Sequence, residues 1–355
     1  MEELLTEKED LMAKYKKSAL LVGMFALTCF LLRIIADVVI NAALLPFIDT
    51  ASYTELYTIN VILSALFLQI LPSVIGFFMF RYYKNSEKFL KQLYHKPKNL
   101  GKALSNTVAV YGFAQIFNIL TMVVIFLLNK LAGETVADNP ISSALPMSLE
   151  TGLVFMVLAG FIAPVFEEFM VRGLIFSELK QYGNGLAIFA SAIFFGLLHG
   201  NFSQFFYTTA MGVALGYITY ATGGILASTI IHAIVNMLSV ISTLLLNTPS
   251  VQEYVMSGST ERIPDSDMFM VALFGIYMVS LIILIIVGLV LAIIKIKQIK
   301  RYKVEKVWGE VNNSTKVKIL ITNVPLLISV LLIVDIFTGF SSGLISDWFS
   351  SLMVK

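Results

Sequence analysis

The sequence predicts an all-α fold, a polytopic bundle of membrane-crossing helices, and three observations predict it. The first is composition: apolar residues make up 57% of the 355-residue chain and charged residues 14%, with a mean hydropathy of +0.84. Soluble domains carry about 25% charged residues, so this chain is depleted in the groups that keep a surface wet. The second is the recurrence of apolar runs near the length of about 20 residues that a helix needs to cross the hydrocarbon. The third is an alternation in sign between the loops that separate those runs.

Read with that ruler, the spans fall near 18–46, 57–80, 103–129, 150–172, 186–199, 205–222, 225–246, 268–294 and 317–338. This gives about eight or nine crossings. The fifth is short, and the sixth and seventh are separated only by Gly223-Gly224. The apolar run behind the mixed-charge residues 1–17 is too long for a signal peptide's apolar core of about 7–15 residues. A retained first helix is expected instead.

Loop charge sets the orientation. Arg81, Lys84, Lys88, Lys91, Lys96, Lys98 and Lys102 follow span two against Glu87 alone. Lys295, Lys297, Lys300, Arg301, Lys303, Lys306 and Lys316 follow span eight, whereas the stretch holding Glu253, Glu261, Asp265 and Asp267 is acidic. Basic loops stay cytoplasmic, so a cytoplasmic N-terminus reproduces every assignment. The expected setting is a cell membrane, crossed several times. Nucleic-acid binding is excluded as a function class, because the basic residues lack interleaved stacking aromatics. The single cysteine, Cys29, allows neither an intramolecular disulfide nor a cysteine metal cluster. Three blocks are expected: N-terminal helices over 1–149, a polar core over 150–246, and a C-terminal helical extension over 247–355.

The core concentrates ionisable residues inside apolar helices, where each is costly and marks function. Span four carries Pro164-Val165-Phe166-Glu167-Glu168 and, one turn after Glu168, Arg172. At that spacing Arg172 and Glu168 share a face and suit a salt bridge. Glu167, rotated by about 100°, is left to accept a proton. Span five ends on Phe195 and His199, and span seven carries His232 and Asn236 one turn apart. At about 1.5 Å per residue, Glu167, His199 and His232 lie roughly 20, 24 and 12 Å from their cytoplasmic helix ends, depths compatible with one pocket. Glu167 with His199 can deprotonate a trapped water. His232 and Asn236 can donate to the oxyanion that forms on a peptide carbonyl. No serine sits in a nucleophile elbow.

Glu-Glu-x-x-x-Arg, Phe-x-x-x-His and His-x-x-x-Asn, in this order over Pro164 to Leu238, resemble the CAAX protease and bacteriocin-processing (CPBP, or Abi) family, which includes the Rce1-type CAAX endopeptidases. The resemblance implies an intramembrane glutamate protease. In it Glu167 and His199 activate water, His232 and Asn236 bind the oxyanion, and Glu168 with Arg172 is structural. It implies a membrane-associated protein or peptide as partner, lipidated or hydrophobic, and no cofactor.

Other readings of the same residues stay open. Two histidines and a glutamate can hold zinc with water as fourth ligand, although no H-E-x-x-H is present. Glu167 can be the proton carrier of a transporter, and the protein can be a non-proteolytic immunity or regulatory factor that binds a peptide. Arg33 and Asp37, one turn apart in span one, are expected to neutralise each other. Gln115, Asn118, Asn323 and Asp335 are expected to hydrogen-bond between helices.

Overall fold

The computed structural model describes residues 2–47, 51–97, 99–132, 149–299 and 313–338. Every regular element among them is helical. Among the described residues six helices are long and apolar enough to cross a membrane: Glu9–Phe47, Glu55–Met79, Leu100–Leu131, Thr151–Tyr182, Leu226–Leu246 and Asp265–Lys297. A seventh candidate, Ser314–Ile321 with Val324–Leu332, is bent by 63° at its break.

The bundle is as expected, and the span count is lower. Asn184–Leu198 has 15 residues, about 22 Å of helix against about 30 Å of hydrocarbon. Phe202–Thr222 is long enough at 21 residues, but Gln204, Thr208, Thr209, Thr219 and Thr222 dilute its apolar character. These two helices pack on each other and on the neighbouring longer helices, with Phe189, Ile193, Phe206 and Tyr220 left exposed on their outer faces.

Contacts along the bundle agree with the alternation of the loops. At one end, Ile225 N–H donates to the Leu93 carbonyl across 2.8 Å, so the basic loop after the second helix rests on the Gly223-Gly224 turn. A Cβ on Gly224 would stand 2.6 Å from the Leu93 carbonyl oxygen, which keeps that turn free of side chains. At the same end, Tyr15 Oη donates to the Lys316 carbonyl (2.8 Å) and Lys316 Nζ to the Tyr182 carbonyl (2.8 Å). The segments that the sequence assigns to one face of the membrane thus share one end of the molecule.

Among the described residues three π-helical segments interrupt the ladders. Leu66–Ile70 and Leu158–Ile162 each precede a helix whose second residue is proline, Pro72 and Pro164. Proline has no N–H to give and crowds the preceding turn, so the turn widens instead of continuing. The third segment, Phe169–Phe176, spans the turn that holds Arg172. From Met170 to Phe176 every residue is buried, and Phe25, Phe80, Phe195, Met211, Leu215 and Ile231 pack in the same core cluster.

Several expected interhelical bonds resolve differently. Asn118 Nδ2 donates to Gln115 Oε1 across 3.0 Å within one helix, a spacing of three that places both on the same face. Asn323 Oδ1 accepts from the Leu326 N–H at the break of the bent pair. The Asp335 side chain lies outside the described residues.

Gly112 and Gly288 bring two long helices, Thr107–Ala132 and Met268–Ile299, into backbone contact, since a Cβ on Gly112 would stand 2.6 Å from the Gly288 Cα. Close approach of this kind supplies packing where the hydrophobic effect between helices is absent. Gly288→Leu is expected to cost about 1–3 kcal/mol by overpacking and to lower the thermal midpoint in detergent. Gly275→Leu on the same helix, where nothing lies within 4 Å, should leave that midpoint unchanged.

Candidate active site

Glu167, Glu168 and Arg172 come from the broken fourth span, His199 from the end of Asn184–Leu198, and His232 and Asn236 from Leu226–Leu246. Glu168 and Arg172 are both 0% exposed and pair Nη1 to Oε1 at 2.7 Å. The ion pair read from the spacing of four is present. Part of the pair is engaged further, although Glu168 Oε2 and Arg172 Nε are buried without a hydrogen bond. Arg172 Nη2 donates to the Gly212 carbonyl at 2.9 Å, and the guanidinium carbon lies 4.8 Å over the centroid of the Phe195 ring. Gly212 permits this because the Phe202–Thr222 helix runs hard against its neighbour, where a Cβ would meet Ala192 Cα at 2.9 Å.

His232 lies between the two carboxylates. Its Nδ1 is 3.1 Å from Glu168 Oε1 and its Nε2 is 3.6 Å from Glu167 Oε2. An ionised carboxylate only accepts, so Nδ1 carries the hydrogen. That assigns Nε2 as the nitrogen that exchanges a proton with whatever faces it, and Glu167 faces it. Glu167 Oε2 is buried without a hydrogen bond, although its side chain remains 16% exposed. Adjacent carboxylates in one helix thus have different surroundings, one fully enclosed and paired with arginine, the other partly exposed and facing His232 alone.

His199 is fixed by its own helix, with Nδ1 3.0 Å from the Phe195 carbonyl. A carbonyl cannot donate, so Nδ1 holds the proton and Nε2 keeps its lone pair in the neutral ring. Phe195 stands edge-on to both histidines, with centroids 5.1 Å from His199 and 5.3 Å from His232. The aromatic of Phe-x-x-x-His is therefore the hub that spaces Arg172 and the two imidazoles.

Asn236 has a partner that sequence spacing did not reveal. Its Nδ2 donates across 3.0 Å to the Ala159 carbonyl. Ala163 N–H already bonds five residues back, to Leu158. The next π-type donor to Ala159 would be the N–H that Pro164 lacks. Asn236 fills that vacancy from another helix. Gly160 makes the approach possible, since a Cβ there would lie 2.6 Å from Met237 Cε.

Two further residues reach this region. Tyr94, at the end of the short helix in the basic loop, is partly buried; burial first, and then the negative charge of Glu168, pushes its phenol up to about 12, so it stays a neutral hydrogen-bonding group. Arg33 of the first span donates Nη1 to the Leu198 carbonyl at 3.1 Å. Among the described residues it forms no close salt bridge with Asp37, although the two charges still act on each other, and its hydrogen bond goes to another helix. Among the described residues, too, no three His, Cys, Asp or Glu side chains are grouped to hold one metal ion.

Removing Glu168 alone would strand a buried cation, a change worth about 3–5 kcal/mol, whereas replacing both partners with apolar residues is often close to neutral. Glu168→Leu is therefore expected to lower thermal stability sharply in detergent, and Glu168→Leu/Arg172→Met to restore most of it. Two equal losses that simply add would show that the pair is not coupled.

Residues 149–238 match the model of a known family, type II CAAX prenyl endopeptidase Rce1-like. Neither the curated proteins nor the solved structures give a match to the chain. The matched stretch is about a quarter of the sequence and holds all six residues of the site, on a chain that is a multi-pass membrane protein. The central helices, with their paired glutamates and two histidines, are thus similar to the type II CAAX prenyl endopeptidase Rce1-like family over residues 149–238.

Proposed function

We propose that this protein is a glutamate-type intramembrane endopeptidase that hydrolyses a peptide bond of a membrane-associated substrate. The observation that carries the proposal is the unequal treatment of Glu167 and Glu168. Glu168 is fully buried, paired with Arg172 and fixes the tautomer of His232. Glu167 is 16% exposed, faces His232 Nε2 at 3.6 Å and has no arginine or lysine bridge among the described residues. Each carboxylate also keeps one buried oxygen without a hydrogen bond. Neighbouring carboxylates whose environments differ take different roles.

In this reading a water lies between Glu167 and the lone pair of His199 Nε2. Glu167 takes its proton as the oxygen attacks the peptide carbonyl, a task suited to a base held in a dry site. The carbonyl oxygen gains negative charge and is met by His232, with Asn236 on the same helix face. In its protonated state His232 donates from Nε2, with Nδ1 held on Glu168. The proton on Glu167 then passes to the departing amine, and the products are a carboxylate and an amine. Asn236 has one Nδ2 hydrogen on Ala159 and a second for the oxyanion. The substrates that fit the family description are prenylated proteins ending in a CAAX sequence. A cytoplasmic N-terminus, with the basic loops on the same side, completes the proposed topology.

The test is cleavage of a quenched, farnesylated CAAX peptide by purified wild type, Glu167→Gln and Glu168→Gln. Glu167→Gln is expected to lose at least about 100-fold in rate, the lower range for a general base, with an unchanged thermal midpoint. Glu168→Gln should lose rate and stability together. Cleavage that survives Glu167→Gln would sink this mechanism. A wild type that cleaves nothing would favour a peptide-binding or immunity role.

A further inference from the structure

We infer that Arg33 is a substrate-binding residue that holds the free C-terminal carboxylate of the bound peptide. The inference rests on the protease reading above for its ligand, and on the geometry of Arg33 for its place. Arg33 lies inside the first apolar span, Glu9–Phe47, and its Nη1 caps the carbonyl of Leu198. The rest of the guanidinium lies across Gly200, where a Cβ would stand 2.7 Å from both Nε and Nη2. Arg33 therefore touches the residues on both sides of His199.

Gly200 has a φ of +64°. Only a residue without a side chain both takes that turn easily and leaves room for the guanidinium. The chain thus makes space for a cation one residue from a proposed catalytic histidine.

That cation is short of partners. A guanidinium has five N–H donors; among the described residues one bond is formed, to Leu198, and Nε is buried with none. The end of a helix offers it only a partial negative charge. A half-buried cation within an apolar span is costly until an anion meets it. Asp37, one turn on, is exposed and forms no salt bridge with it.

A peptide bound across the site carries one obligatory anion, its terminal carboxylate. The planar fork of arginine matches a carboxylate in two parallel hydrogen bonds, which lysine does not reproduce. The residues after the scissile bond would then run from His199 toward the first helix. Selectivity would follow for bonds a short distance from a free C-terminus.

Binding separates this role from catalysis. The full-length Glu167→Gln protein in nanodiscs is titrated with a fluorescent farnesylated peptide ending in a free carboxylate, and with the same peptide ending in a carboxamide. The carboxylate form is expected to bind about tenfold tighter or more, the scale of a hydrogen bond to a charged group. Adding Arg33→Gln should erase the difference by weakening only the carboxylate form; unchanged binding of the amide reports an intact fold. Arg33→Lys should retain part of the preference, and serves as the readout if the glutamine variant does not fold. Equal binding of the two peptides, binding of neither, or a preference that survives both substitutions would overturn the inference. Carboxylate-dependent binding without cleavage by the wild type would overturn the protease reading and leave Arg33 in place. Cleavage without the preference would do the reverse.

Discussion

The rest of the site depends on one interaction, the ion pair between Glu168 and Arg172. Both side chains are fully buried, and the cost of taking two charges out of water is offset partly by their further contacts, although Arg172 Nε and Glu168 Oε2 have no hydrogen bond. Each further contact belongs to a different helix. His232 brings Leu226–Leu246, the Gly212 carbonyl brings Phe202–Thr222, and the Phe195 ring brings Asn184–Leu198. The pair is therefore a constraint on the placement of three helices as well as a local feature of one. Helices that associate in lipid lack a hydrophobic drive toward each other, which leaves packing and polar contacts to fix their arrangement.

The second constraint is a missing donor. Pro164 cannot continue the ladder, and the preceding turn widens into a π segment. In water the Ala159 carbonyl would be solvated, but at membrane depth a polar backbone group needs an internal partner. Asn236 supplies it. The proline, the glycine at 160 and the asparagine thus form one device distributed over two helices. That device sets the height of His232, one turn before Asn236, against the carboxylates.

These two constraints explain which parts of the architecture were legible in the sequence. The Glu168–Arg172 pair was legible because a spacing of four is a property of one helix, and that pair needed no knowledge of the fold. The bundle was legible from apolar run length. Run length gave more candidate crossings than the six or seven helices among the described residues that are long and apolar enough, because Asn184–Leu198 is short and polar residues dilute Phe202–Thr222. Contacts chosen between helices were the hidden ones. Arg33 and Asp37 have the spacing of a pair, yet Arg33 turns to Leu198, 165 residues away. Asn236 reads as a donor facing a site, and its acceptor exists only because a proline stands in another helix. Gln115 and Asn118 err the other way, bonding locally where a partner on a neighbouring helix was expected.

The adjacent glutamates show why such a site needs its ion pair. Two carboxylates side by side in an apolar helix repel each other, and neither alone would have a defined state. Enclosing Glu168 with Arg172 and His232 gives one of them a fixed partner and leaves the other as the group that can change. The same contact orients His232, because a carboxylate on Nδ1 leaves Nε2 to face Glu167. On the proposed reading, structural and reactive roles are then divided between neighbouring residues by enclosure: 0% exposure at Glu168 against 16% at Glu167. A protein can afford a reactive carboxylate inside the membrane when the adjacent charge is locked so that it cannot compete for the same proton. On the reading proposed above, the buried pair that looks purely structural sets the protonation logic of the site, and its loss would disturb chemistry and fold together.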